Sequence, residues 1–270
     1  MVLSGFPAQW LAQREPHDLR ARNATVLDAV AGAFRDQSAV AVVDLACGAG
    51  ASLRAIGSRL PSRQSWRLVD NDLGLLARAL ALAQPPRLSV AVQAVDLARD
   101  LELALDGPLD LVTCSALLDL VSAQWLERLV VEAAARRLPV YAALTYDGRA
   151  ALEPSDSFDA EMVAAVNRHQ RRDKGFGPAL GPQAAALAVA RFEGVGYRVV
   201  QGRSDWTFGS HDGAIQDSIL AGWATAAREL GDVPLDGIAA WFTHRRELLA
   251  DGRASLQVGH TDVFATPPPS

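Results

Sequence analysis

The sequence predicts an α/β fold: a doubly wound, mostly parallel seven-stranded sheet with helices on both faces, plus N-terminal helices and a helical cap insertion. Three observations carry that expectation. Apolar strand-like runs and amphipathic helical runs alternate regularly from Ala39 to Thr145, and such alternation builds a parallel sheet through right-handed crossovers. The first run, Ala39 to Val43, lacks the polar–apolar alternation of a half-wet strand and reads as buried on both faces. Polar side chains then stand where successive strands end, at Asp44, Asp70, Asp96, Ser115 and Asp147. Open α/β sheets hold their ligands at that edge.

Length and composition set the frame. With 270 residues the chain can bury a sizeable core, and no repeat or linker divides it. The expected organisation is a single domain over 1–270, with an N-terminal helical cover at 1–36, a cap at 148–182 and a disordered tail at 266–270. A net charge of −5 argues against a broad nucleic-acid surface. Cys47 and Cys114 form neither a zinc spacing nor a disulfide framework. The histidines, His17, His169, His211, His244 and His260, show no ligand pairing, so no metal is expected. There is no signal-length apolar core and no apolar run of about 18 residues. The expectation is a cytoplasmic protein that spans no membrane; nothing in the sequence speaks to its oligomeric state.

In chain order, Trp10 to Phe34 reads as helix, with Pro16 opening a second part whose face carries Leu19, Val26, Leu27, Val30 and Phe34. Arg14, Asp18 and Arg22 follow at spacing four and share another face. The first strand then runs into Val42–Ser52, VVDLACGAGAS, where small residues between strand and helix allow a tight turn and close ligand approach. A phosphate-cradling loop would need Gly-Lys-Ser/Thr, and the chain's single lysine is Lys174. A dinucleotide fingerprint starting at Gly48 and Gly50 meets Leu53 at its third glycine position. The second strand, Trp66 to Val69, ends at Asp70, placed to accept from both ribose hydroxyls, with Asn71 beside it and Asp72 as the cap of the next helix. The turn at Pro85 and Pro86 leads to the third strand, Leu88 to Val95.

The pattern Asp-x-small-x-Gly-x-Gly at Asp44–Gly50 resembles the first motif of the class I S-adenosylmethionine-dependent methyltransferases, and the likeness extends over roughly Ala39 to Val200. It implies S-adenosylmethionine as cofactor, held over Asp44, Ala46, Cys47, Gly48 and Gly50. It also implies that Asp96, with Leu97 beside it, meets the adenine amino group, although Asp96 could equally cap the stretch that follows. The loop Ser115 to Asp119, after the fourth strand, is similar to the family's fourth motif, which lines the reactive methyl group. N-terminal helices of the family often cover the crevice. Arg14 or Arg22 would then meet the methionine carboxylate; the alternative is a solvated charge ladder.

The fifth strand, Val140 to Thr145, ends in Tyr146-Asp147-Gly148. An insertion from Arg149 to Pro182 follows, with one helix whose stripe is Phe158, Met162 and Val166. A loop of that length suits a lid. If the stripe packs on the crevice, His169 is carried toward an acceptor pocket with Asp119 and Asp147, and these three are the catalytic candidates. The sixth strand at Tyr197 to Gln201, two further helices and the final strand, Ser255 to Thr266, complete the chain. The expected function is methyl transfer to a small-molecule acceptor. The alternatives are an RNA or protein methyltransferase, which would use the basic cluster Arg168 to Lys174, and a nicotinamide-dependent oxidoreductase or non-catalytic cofactor binder.

Overall fold

The computed structural model describes residues 7–83 and 86–269; the expected turn at Pro85 and the tail's Ser270 lie outside them, as do the first six residues of the N-terminal cover. The chain opens with α1 (Ala8–Ala21) and α2 (Ala24–Ala33). The break falls at Arg22–Asn23 and not at Pro16. Pro16 is exposed inside α1, where the carbonyl it frees can face water, whereas Asn23 accepts from the Val26 N–H and caps α2.

The α/β core then follows as β1 (Ala39–Leu45), α3 (Ala51–Ile56), β2 (Arg63–Asp70), α4 (Leu73–Leu80), β3 (Leu88–Ala94), α5 (Leu101–Ala104), β4 (Leu111–Ser115), α6 (Ala123–Arg136) and β5 (Val140–Glu153). The cap helix α7 (Asp159–His169), α8 (Ala184–Gly194), β6 (Arg198–Arg203), β7 (Trp206–Phe208), α9 (Gly213–Leu230), α10 (Leu235–Ala250) and β8 (Ser255–Thr266) complete it. The sheet order is β3-β2-β1-β4-β5-β8-β6, with the short β7 paired to β8. The strands from β1 to β5 are parallel; β8 enters antiparallel between β5 and β6. The last strand thus lies beside the sixth as expected, and β7 is an eighth strand that three residues of sequence did not announce.

Two apolar layers sandwich the sheet. Val43, Leu45, Val112 and Cys114 face α6 and α8, while Val40, Val42, Leu111 and Tyr141 face α2 and α3. A third core lies beyond the carboxyl edge. There β5 runs on well past Thr145, pairs with the start of β8, and is covered by α7, α9 and α10 around Met162, Phe208, Ile215, Trp223, Ile238 and Trp241. The extension needs a bend: Leu144 has φ +53 and the β5–β8 register slips between Ala142 and Thr145. Fully buried Asp262 holds the bend, accepting the Leu144 N–H at 2.8 Å and the Asn23 N–H at 2.9 Å. One carboxylate therefore fastens the α1–α2 joint to the strand that leaves the sheet.

This third core corrects the expected packing of the cap. Met162, Ala165 and Val166 are buried against α9, and the Phe158 ring fills the space above Gly237 of α10, where an added Cβ would lie 2.7 Å from Cζ. The stripe is covered by helices and does not turn to the strand ends. The physical reason is α9, whose own apolar face offers a larger partner surface.

Candidate functional site

The glycine turn is knitted into the end of β2. Cys47 N–H donates to the Val69 carbonyl and Gly48 N–H to Asp70 Oδ2, both at 2.9 Å. Asp70 Oδ1 also accepts the Asp72 N–H at 3.0 Å, so the carboxylate stands fixed with lone pairs to spare. Ala46, Gly48 and Gly50 all have positive φ, at +52, +54 and +85. At Gly50 a side chain would also meet Leu82 at 2.5 Å, so both conformation and space require glycine there. Asn71 is exposed beside Asp70, and Asp72 caps α4 through the Gly74 and Leu75 N–H groups. Asp96 is exposed and accepts the Ala98 N–H; Leu97 is buried, its carbonyl taking the Trp125 indole N–H. Burial pushes the Cys47 and Cys114 thiols up, which leaves both protonated and inert.

The helix α1 lies across this turn. Leu11 packs over Gly48, and Glu15 forms a bidentate ion pair with Arg54 of α3. The spacing-four row on α1 is not a solvated ladder: Arg14, Asp18 and Arg22 are 9%, 4% and 6% exposed.

Arg22 reaches under the sheet's edge. Its Nη1 donates to the Tyr141 hydroxyl at 3.1 Å and its Nη2 to Ser115 Oγ at 3.3 Å, while its buried Nε has no partner. Close by, both carboxylate oxygens of fully buried Asp44 lack a well-formed hydrogen bond, as does the Thr113 hydroxyl. Burial pushes the Asp44 carboxyl up to about 7, opposed by the Ser52 hydroxyl, Arg22 and the Thr113 hydroxyl. A buried guanidinium and a buried carboxylate, each with unspent bonding capacity, form the donor–acceptor pair that an amino-acid group requires.

The third part of the site lies between the β4 loop and the third core. Asp119 is 5% exposed, its Oδ1 unpartnered, and its backbone carbonyl accepts the Gly181 N–H at 2.9 Å. Burial pushes its carboxyl up to about 6, against the backbone N–H groups of Asp119 and Tyr146 and the charges of Arg14 and Lys174. Tyr146 donates to Asn167 Oδ1 at 2.8 Å, and Asn167 Nδ2 to the Gly148 carbonyl, so α7 is bolted to the β5 extension. His260, opposite Tyr146 on β8, is buried with Nδ1 3.1 Å from the Val258 carbonyl. Burial first, then Arg14, lowers its pKa to about 4.

The other two catalytic candidates sit elsewhere. His169 Nε2 is 2.8 Å from Glu229 Oε2 in the α7–α9 seam, and its Nδ1 is 3.3 Å from Lys174 Nζ. Asp147 binds Arg149, which also pairs with Asp205, and accepts from the Thr261 hydroxyl. Both are spent on holding the cap. The strand ends bring together Asp44, Asp70, Ser115 and Asp119, with Arg22 and Arg14 entering from α1. Tyr146, His260, Tyr141 and Asp262 were missed, because the bend in β5 that positions them leaves no mark in hydropathy.

Among the described residues no cluster of three or more His, Cys, Asp or Glu could hold a metal, and no helix is long and apolar enough to cross a membrane. Residues 42–140 match a family model described as a methyltransferase domain. No curated protein matches the chain. Among solved structures, the chain is similar in fold to the YcgJ protein of Bacillus subtilis, with TM-score 0.51 and 14% identity over 92% of this chain and 100% of that one. It is similar also to a cyclopropane-fatty-acyl-phospholipid synthase-like protein of Lactobacillus casei, with TM-score 0.50 and 16% identity over 95% and 92% of the two chains. A candidate methyltransferase of Bacillus halodurans gives TM-score 0.50 and 16% identity over 91% and 98%.

Proposed function

We propose that this chain, whose residues 42–140 match a methyltransferase-domain model, is a class I S-adenosylmethionine-dependent methyltransferase that methylates a small molecule beside the β4 loop. The observation that carries the reading is the buried pair Asp44 and Arg22, each with unsatisfied polar atoms, beside a glycine turn anchored on Asp70. That set fits the cofactor. Arg22 takes the methionine carboxylate and Asp44 its ammonium, Asp70 accepts from the ribose hydroxyls, and Asp96 and Leu97 border the adenine. Ser115, hydrogen-bonded to Arg22, holds the guanidinium in place.

The cofactor supplies an electrophilic methyl on a sulfonium. With the methyl supplied by the bound cofactor, the chain's own work would be alignment, exclusion of water and proton removal. Asp119 is the residue suited to take the acceptor's proton. A carboxyl titrating near 6 is mostly ionised at neutral pH yet more basic than an ordinary carboxylate. His169 and Asp147 serve the cap's architecture instead.

A small acceptor is favoured over RNA by the fate of the basic cluster. Arg168 pairs with Glu161 and Asp232, His169 with Glu229, and Arg172 donates to the Glu229 carbonyl. Those groups are spent on α7 itself and on α9 and the turn that follows it, and the overall acidity adds to the argument. Asp70→Ala tests the cofactor assignment. It should weaken adenosylhomocysteine binding by about 1.5–3 kcal/mol in calorimetry, as expected for lost charge-assisted hydrogen bonds. Unchanged affinity would remove Asp70 from the ribose.

A further inference from the structure

Arg14 is a buried charged group that the cofactor reading leaves without a role. It is 9% exposed, yet only its Nε is spent, on Asp18 Oδ2 at 2.8 Å. Neither Nη atom makes a hydrogen bond to a described residue, and neither is sealed from water. Both Nη groups are thus left to water or to a ligand. The free Nη edge presents two parallel N–H groups, the geometry that a carboxylate accepts in a fork.

Its position is set by aromatic packing. The guanidinium carbon stands 5.4 Å from the centre of the Trp206 ring, and Trp206 lies 4.6 Å from His260, which lies 6.0 Å from Tyr146. Asp18 also accepts the Trp206 indole N–H at 2.9 Å, which locks helix and ring together. The His260 Nε2 makes no bond to a described residue and, like the Arg14 nitrogens, is not sealed from water. The charge of Arg14 reaches both His260 and Asp119. Arg22, not Arg14, stands beside Asp44 and Ser115, so Arg14 is left for the other substrate.

We propose that the methyl acceptor is a small carboxylic acid that also carries a hydroxyl or amino group, with its carboxylate held by the Nη edge of Arg14 and its nucleophile facing Asp119. This rests on the methyltransferase reading above and adds the acceptor's class. Charge agrees with it. The Arg14 guanidinium gives a bound carboxylate its countercharge, whereas it would repel a cationic group placed at its Nη edge.

The test uses the full chain saturated with adenosylhomocysteine, after that binding has been measured alone. Benzoate, benzamide and benzylamine are then titrated while the Trp206 indole N–H resonance, assigned with Trp206→Phe, is followed by NMR. Benzoate should move that resonance and bind about tenfold more tightly than benzamide or benzylamine. Arg14→Gln should bring benzoate and benzamide within twofold of each other while leaving adenosylhomocysteine affinity unchanged. Equal affinities of the three probes for the wild-type protein would overturn the proposal, and so would a benzoate preference that survives in Arg14→Gln. If that variant fails to fold, the wild-type ranking of the three probes decides alone. Failure of adenosylhomocysteine itself to bind would instead count against the methyltransferase reading.

Discussion

Asp119→Asn should lower kcat by about two to four orders of magnitude, the span that a positioned proton acceptor contributes, with adenosylhomocysteine affinity held within twofold. The substitution is nearly isosteric and removes the charge and the capacity to accept a proton, at a carboxylate whose Oδ1 has no internal partner. The pH profile carries the sharper signature. Burial holds the Asp119 pKa at about 6, so activity of the wild-type protein should fall as pH drops through that value. In Asp119→Asn the residual rate should no longer show that acidic limb. A rate within tenfold of wild type would return the proton to solvent.

Arg245→Ala should destabilise the fold by about 3–5 kcal/mol, because it strands a charge in the cap's core. The Arg245 side chain is 2% exposed and pairs with Asp159 through Nη2 and through Nε at 3.1 Å, while its Nη1 donates to the Pro154 carbonyl at 2.7 Å. Asp159 Oδ1 also accepts the Trp241 indole N–H at 2.8 Å. The cluster fastens α10 to the start of α7. Removing the cation leaves Asp159, 14% exposed, without its countercharge. Replacing both partners with apolar residues should cost less than removing Arg245 alone, since no unpaired charge remains. Urea unfolding measures both; a single-variant loss under about 1 kcal/mol would place the pair among ordinary surface bridges.

What could be read from sequence follows from the range of the interactions. The β–α alternation and the glycine turn are local, and the strand ends that they set are where Asp44, Asp70, Ser115 and Asp119 lie. Asp72 was legible as a cap for the same reason. The long β8 was legible too, because twelve residues of β-rich sequence precede the first proline of the tail. His169 went astray because the partner of an apolar stripe is not written in the stripe. Helix α9 competes for it from more than forty residues away, and once α7 packs there Glu229 captures the imidazole. Periodicity could not reveal β7 or the bend at Leu144, since three residues carry no period and a positive φ at leucine goes against the residue's own preference. Arg14 and Arg22 were visible as a pair at spacing eight, but only tertiary structure separates the one beside Asp44 from the one beside Trp206.

If Asp44 and Arg22 bracket the cofactor's amino-acid end, cofactor binding is linked to a proton on Asp44. Burial raises the Asp44 pKa to about 7, so at pH 7 about half of the free protein carries that proton. The raised value means that Asp44 favours folding while protonated and that this contribution is lost as pH rises from about 4 through 7. An ammonium placed against the carboxylate must lower the pKa again. Binding of adenosylhomocysteine, titrated calorimetrically at pH 7 in two buffers of different ionisation enthalpy, should therefore release a fraction of a proton. Adenosine, which lacks the amino-acid end, should release none, and the release should vanish in Asp44→Asn. A binding enthalpy for adenosylhomocysteine that is the same in both buffers for the wild-type protein would contradict the placement.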